Sequence, residues 1–245
     1  MRPKWPQPKR PCRRKSWRNP KWLAVLRARR TEPALFGARK SEGTAGADLL
    51  AVGLGNPGPR YSKTRHNVGA DVVALLADRR GERLRQGKEL ALVAEVRLEG
   101  KRLALAFPQT FMNESGRSVA RLVRRFNVSD LTKLVVVHDE LDLPLGSVRV
   151  KAGGGLAGHN GLRSIKAWLR SDEFARVRIG IGKPPAGKDG GADHVLSAPS
   201  RLERRSLDLA VETAADAVEM ILAQGLAAAQ NEFNSRQGPD EPFNG

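Results

Sequence analysis

Histidine is scarce in this chain, and where it occurs narrows the chemistry. The four residues are His66, His138, His159 and His194. Three of them fall in polar segments, Thr64-Arg65-His66-Asn67, His138-Asp139-Glu140-Leu141-Asp142 and the glycine-rich Gly153–Gly161, where no packing need explains them. An imidazole titrates near neutrality and can take a proton from water. A carboxylate bonded to its other ring nitrogen fixes the tautomer. Asp139 is the candidate carboxylate, and Glu140 and Asp142 read as a solvated acidic turn. A metal site built on His138, Asp139 and Asp142 is the alternative, although H-E-x-x-H spacing is absent. Cys12 is the one cysteine, so neither an internal disulfide nor a multi-Cys zinc site can form. It lies in a basic terminal stretch, which removes a cysteine nucleophile. No G-x-S-x-G elbow is present either.

Asparagines and glycines surround these groups. Gly53-Leu54-Gly55-Asn56-Pro57-Gly58 follows an apolar run and matches G-x-G-x-x-G. A dinucleotide loop opens directly into a helix. Here Pro57 and Pro59 delay the helix to about Asn67, and the acid about 20 residues on, Asp78, sits inside a helix, so nucleotide binding is rejected. The glycines read as a tight turn presenting Asn56. In Pro108–Gly116, Asn113 or Ser115 has the chemistry of a helix cap. The adjoining Phe111-Met112 pair beside an amide side chain predicts a peptide-binding surface. Gly153–Gly161 leads into a helix N-terminus, where backbone amides and the helix dipole favour an anion.

The elements that must position these residues follow from hydrophobic period. Leu49–Leu54 is a short apolar strand. Val68, Val72, Leu75 and Leu76 predict a helix with one buried face. Leu92–Leu98 and Leu103–Phe107 alternate around a turn at Gly100-Lys101, which predicts a hairpin. Val119–Phe126 marks a helix, Leu134–Val137 a buried strand, Val148–Val150 a strand, Gly161–Leu169 a helix and Val177–Ile181 a strand. A long helix at Leu202–Gln224 and a terminal one at Ala227–Ser235 complete the series. Interleaved strands and helices with one hairpin give the α/β class: a single α/β/α sandwich domain with a twisted mixed sheet.

The chain has 245 residues and a formal net charge of +17. Residues 1–46 hold 14 of the Lys+Arg against Glu32 and Glu42, with three of the four Trp and six of the 15 Pro. They read as a disordered basic N-terminal extension, with a short helix allowed around Trp22–Arg30. The domain is expected at 47–236 and a disordered end at 237–245. No run approaches the roughly 18 apolar residues of a membrane span, and no secretory signal core is present.

The stretches VGLGNPGPRYSKTRHNVG, TFMNESG, HDELDLPLGSVRVKAGGGLAGHNGLRSI and FARVRIGIGKP together resemble bacterial-type peptidyl-tRNA hydrolases, in order and spacing, from about Leu49 onward. The resemblance implies hydrolysis of the ester joining a peptide to the 3′ ribose of tRNA, by direct attack of water without metal or other cofactor. It implies His66 as the base and Asp139 as its orienting carboxylate. Asn56 and Asn113 would bind the peptide main chain and reacting carbonyl, and Asn160 the water or the tRNA 3′ end, with His159 nearby. Tyr61 and Met112 would line the peptide cleft, and Lys151 and Arg178 would contact tRNA phosphate. A cytoplasmic monomer acting on peptidyl-tRNA is implied. A tRNA-binding module without catalysis is the alternative from another class. The chain departs from the common pattern at Leu156 and Ala157, at Phe107 before Pro108 and at Lys183 before Pro184.

Overall fold

The computed structural model describes residues 46–184 and 191–235. The expected helix near Trp22–Arg30 and the expected C-terminal end at 237–245 lie outside the described residues. Among the described residues seven strands form one sheet: β1 (Leu49–Gly53), β2 (Arg85–Gln86), β3 (Ala91–Leu98), β4 (Lys101–Pro108), β5 (Leu134–Glu140), β6 (Val148–Ala152) and β7 (Ala175–Gly180), in the order β2-β3-β4-β1-β5-β7-β6. The four central strands β4, β1, β5 and β7 are parallel, and β2, β3 and β6 pair antiparallel at the flanks. The sheet is therefore mixed, as the hairpin requires. That hairpin turns at Glu99-Gly100, both at positive φ, with Lys101 already in β4 opposite Leu98. The turn thus lies one residue earlier than Gly100-Lys101, because a two-residue loop of this kind needs φ > 0 at both central positions.

Among the described residues six helices flank the sheet: α1 (Val68–Asp78), α2 (Ser115–Arg125), α3 (Asn160–Leu169), α4 (Gly191–Leu196), α5 (Arg201–Gln224) and α6 (Leu226–Ser235). One face buries Leu50, Val52, Leu134 and Val136 against Val119 and Leu122 of α2 and Leu162 and Ile165 of α3. The opposite face is covered by α1 and by α5, whose capping box joins Ser200 and Glu203 at its start. Every residue of β1 and β5 is buried, as expected of parallel strands covered on both faces.

Two differences from the sequence-based expectation bear on function. β5 does not end at Val137. His138, Asp139 and Glu140 continue it, opposite Arg178, Ile179 and Gly180 of β7. Their polarity suggested a loop, yet the parallel ladder with β7 keeps them in the sheet. The helix α4 showed no clear apolar period, being one and a half turns long.

Helix α1 meets the sheet at the closest range. A Cβ on Gly53 would fall inside van der Waals contact of the Gly69 carbonyl, and one on Gly69 would strike the Val137 carbonyl. These glycines let backbone lie on backbone, which the expectation of a tight turn alone did not include. The contact fixes the short 3-10 turn Arg65–Asn67 that runs into α1. Gly69→Ala is expected to lower stability by about 1–3 kcal/mol, the range for overpacking, read as a reduced urea midpoint, and to lower turnover with it. An unchanged midpoint would mean that the helix has room to shift.

Candidate active site

The segments singled out above converge at the carboxyl ends of the parallel strands, where open α/β sheets bind ligands. The 3-10 turn Arg65–Asn67 follows β1, the 3-10 turn Met112–Glu114 follows β4, and Asp139 lies near the end of β5. They border a cleft of about 570 Å³ lined by Asn56, His66, Met112, Asn113, Asp139, His159 and Asn160, among others.

Asp139 is 3% exposed and accepts from two imidazoles. His66 Nδ1 lies 2.8 and 2.9 Å from its two oxygens, and His159 Nε2 lies 3.2 Å from Oδ1. Burial pushes the Asp139 carboxyl up, but the two imidazoles outweigh burial and hold it well below the usual carboxylate range. The tautomers follow from the remaining bonds. His159 Nδ1 accepts from the Gly161 and Leu162 amides, capping α3, so its proton sits on Nε2 and points at Asp139. An ionised Asp139 can only accept, so His66 carries its proton on Nδ1. His66 Nε2 keeps its lone pair in the cleft, with no hydrogen-bond partner among the described residues.

His66 Nδ1, Asp139 and His159 Nε2 also lie within 4.8 Å of one another, close enough for a metal ion. The donor set fits poorly, because His159 would have to surrender the cap of α3 to free a lone pair. The metal set considered from sequence is not assembled. His138 lies on the other face of β5 from Asp139, and Asp142 is exposed and paired with Lys183 at 3.1 Å. His138 is fully buried, donates Nδ1–H to the Asp139 carbonyl at 2.7 Å, and leaves Nε2 without a partner. Burial, with His159 beside it, pushes its pKa down to about 3.

Asn56 is held from three sides. Its backbone exchanges two hydrogen bonds with the Asn67 side chain, and its own Oδ1 accepts from the Met112 amide at 2.8 Å. With the oxygen engaged, the Nδ2 protons are left as donors. Asn113 and Asn160 are exposed at the cleft edge. Tyr61 stands one layer back. Its ring meets Phe111 edge-on at 6.5 Å, and it is Phe111, 56% exposed, that lines the cleft.

Glu140 differs from the sequence-based expectation. It is 4% exposed, not a solvated turn residue, and it holds Arg178 at 3.1 Å. Arg178, expected to meet phosphate, is thereby partly committed. Lys151 is exposed on β6 with no acidic partner among the described residues.

Sequence reasoning missed the wall formed by α4, which contributes Gly191, Ala192, Val195 and Leu196. It also missed Arg65, which secures that wall. Buried Arg65 donates to Ser197 Oγ at 2.5 Å, to the carbonyls of His194, Ser197 and Ala198, and to Glu203 at 2.8 Å. Burial would raise the Glu203 pKa, but bonds from Arg65 and Ser200 hold it at about 2. The one available signal was an arginine directly before the candidate base.

A polarised imidazole facing a cleft of amides and apolar side chains is the equipment of a hydrolase that grips a chain without reading side chains. The family profile described as peptidyl-tRNA hydrolase matches residues 50–241, and the chain belongs to that family. It is 52% identical over 192 residues to the peptidyl-tRNA hydrolase of Frankia casuarinae, covering 78% of this chain and 96% of that one. It is 51% identical over 195 residues to that of Rhodococcus opacus, covering 79% and 100%. The crystal structure of the Acinetobacter baumannii peptidyl-tRNA hydrolase superposes with a TM-score of 0.73 at 36% identity, covering 80% of this chain and 99% of that one.

His138 yields a prediction on pH. Burial holds its pKa down to about 3, against 6.5 for an ordinary imidazole. Between those values the unfolded chain takes up a proton that the native state refuses, so its contribution is complete above pH 6.5 and fades as pH falls toward 3. His138→Asn should lose less stability than the parent over that window in urea titrations. Parallel curves would show that His138 is not held neutral.

Proposed function

We propose that the chain hydrolyses the ester between a peptide and the 3′ ribose of tRNA, with His66 as general base. The observation that carries this is the free Nε2 of His66, turned to the cleft while Nδ1 is held by buried Asp139. Nε2 takes a proton from a water molecule as its oxygen attacks the ester carbonyl. Asn56 Nδ2, fixed by the Met112 amide, and Asn113 are placed to donate to the carbonyl oxygen as it gains charge. The C–O bond to the ribose then breaks, and the imidazolium returns its proton to the leaving 3′ oxygen. The water or the tRNA 3′ end is assigned to Asn160, at the start of α3, with the α3 dipole favouring negative charge there. His159 acts through Asp139 and the helix cap. No metal or other cofactor is required by these steps.

The apolar part of the cleft, Phe111, Met112, Leu141, Val195 and Leu196, suits a peptide of any sequence. Tyr61 is assigned to this subsite through Phe111. Lys151 and the unpaired edge of Arg178 are assigned to tRNA phosphate. We place the protein in the cytoplasm as a monomer, with one independently folded domain at 47–236. No helix among the described residues is long and apolar enough to cross a membrane.

The test is cleavage of N-blocked aminoacyl-tRNA against free aminoacyl-tRNA, with and without EDTA. Cleavage of the blocked substrate in either buffer is expected. His66→Ala should lower kcat about 10²–10⁴-fold with tRNA binding little changed. Asp139→Asn should also lose much of the rate, because the amide no longer dictates the His66 tautomer. Near-normal turnover in His66→Ala would overturn the assignment. Loss with EDTA and recovery with zinc would move it to a metal on His66, Asp139 and His159.

A further inference from the structure

Arg176 belongs to no part of the chemistry above, yet it is the largest fully buried side chain among the described residues, at 1% exposure. No carboxylate within ion-pair distance accompanies it. Glu140 and Asp172 act on it only from a distance, and each is engaged by another cation, Arg178 and Lys166. Its guanidinium donates instead to three successive backbone carbonyls of the glycine loop: Gly155 at 2.8 Å, Gly154 at 3.1 Å, and Gly153. A buried charge is costly unless such bonds satisfy it, so the loop and the guanidinium depend on each other.

The surroundings give this clamp a direction. Lys151 is the cross-strand neighbour of Arg176, and Arg178 lies two residues along the same face of β7. At Gly154, φ is +80°, and an added Cβ would lie 3.3 Å from Lys151 Cε and Nζ and 3.9 Å from an Arg176 nitrogen. Gly154 thus lies beside both cations, the buried Arg176 and the exposed Lys151. With three carbonyls drawn inward, their partial negative charges are removed from the surface that Lys151 shares with the loop. The far end of the loop is fixed by His159, through α3 and Asp139.

We propose that Arg176 is a positioning residue for the tRNA substrate. It holds the glycine loop with its carbonyls turned in, so that a phosphate near the tRNA 3′ end binds beside Lys151 without facing carbonyl oxygens. This rests on the assignment of Lys151 to phosphate, and the test keeps the two apart.

KM and kcat are measured on the full chain with N-blocked aminoacyl-tRNA over a range of salt. Arg176→Lys keeps a charge but loses the planar fork needed for three carbonyls. It should raise KM about tenfold while kcat stays within about twofold, the pattern of lost binding common to ground and transition states. The slope of log KM against log salt should match the parent, because Arg176 does not touch phosphate. Lys151→Ala should reduce that slope by roughly 0.7–0.9, one phosphate contact. Gly154→Ala, strained at positive φ and pressed on Lys151, should reproduce the rise in KM and serves if Arg176→Lys does not fold. The proposal is overturned if Arg176→Lys and Gly154→Ala leave KM within twofold of the parent. It is overturned equally if Arg176→Lys flattens the slope as Lys151→Ala does, which would make Arg176 a direct phosphate ligand. An unchanged slope in Lys151→Ala counts against the phosphate assignment alone, and the KM values still decide the role of Arg176.

Discussion

The site depends on one carboxylate. Asp139 is buried at the end of a central strand, ionised, and committed to two N–H donors. Because it can only accept, both imidazoles must present protons to it. That single constraint places the lone pair of His66 on the cleft side and sets His159 as the cap of α3. The cost of burying the charge is offset by those two bonds. Removing either histidine would leave Asp139 short of a donor, so the three side chains behave as one unit.

Much of the remaining architecture holds that unit in register. The backbone contact of α1 with β1 and β5 sets the turn that carries His66. Asn67, next in sequence, grips the main chain of Asn56, and Asn56 grips the amide of Met112. Loops after β1 and β4 are thereby joined by side-chain to backbone bonds without an intervening charge. Arg65 extends the same turn toward α4 and the start of α5, so one wall of the cleft is tied to the residue before His66. His138, on the reverse side of the strand, contributes an uncharged ring packed edge-on to His159 at 4.9 Å.

What could be read from the sequence divides along physical lines. Apolar period located the principal helices and most strands, and the motifs named His66, Asp139, Asn56, Asn113 and Asn160 together. The extension of β5 through Glu140 was hidden because polarity normally signals a loop. The pairing with β7, some 40 residues away, keeps these residues in the strand, and His66, His159 and Arg178 cover their side chains. Arg176 was hidden for the same reason: an arginine in a strand looks solvent-facing until the loop that folds over it is known. Helix α4 is too short for its period to register, and the role of Arg65 depends on carbonyls about 130 residues distant. Long-range satisfaction of polar groups is the part that local pattern does not carry.

The most direct test of the central constraint is the ¹⁵N shifts of the imidazole nitrogens, measured by NMR on histidine-labelled protein at neutral pH. Neutral His66 should carry its proton on Nδ1, with an unprotonated Nε2, and His159 should show the reverse. A His66 ring protonated on Nε2, or a His159 ring protonated on Nδ1, would contradict the account.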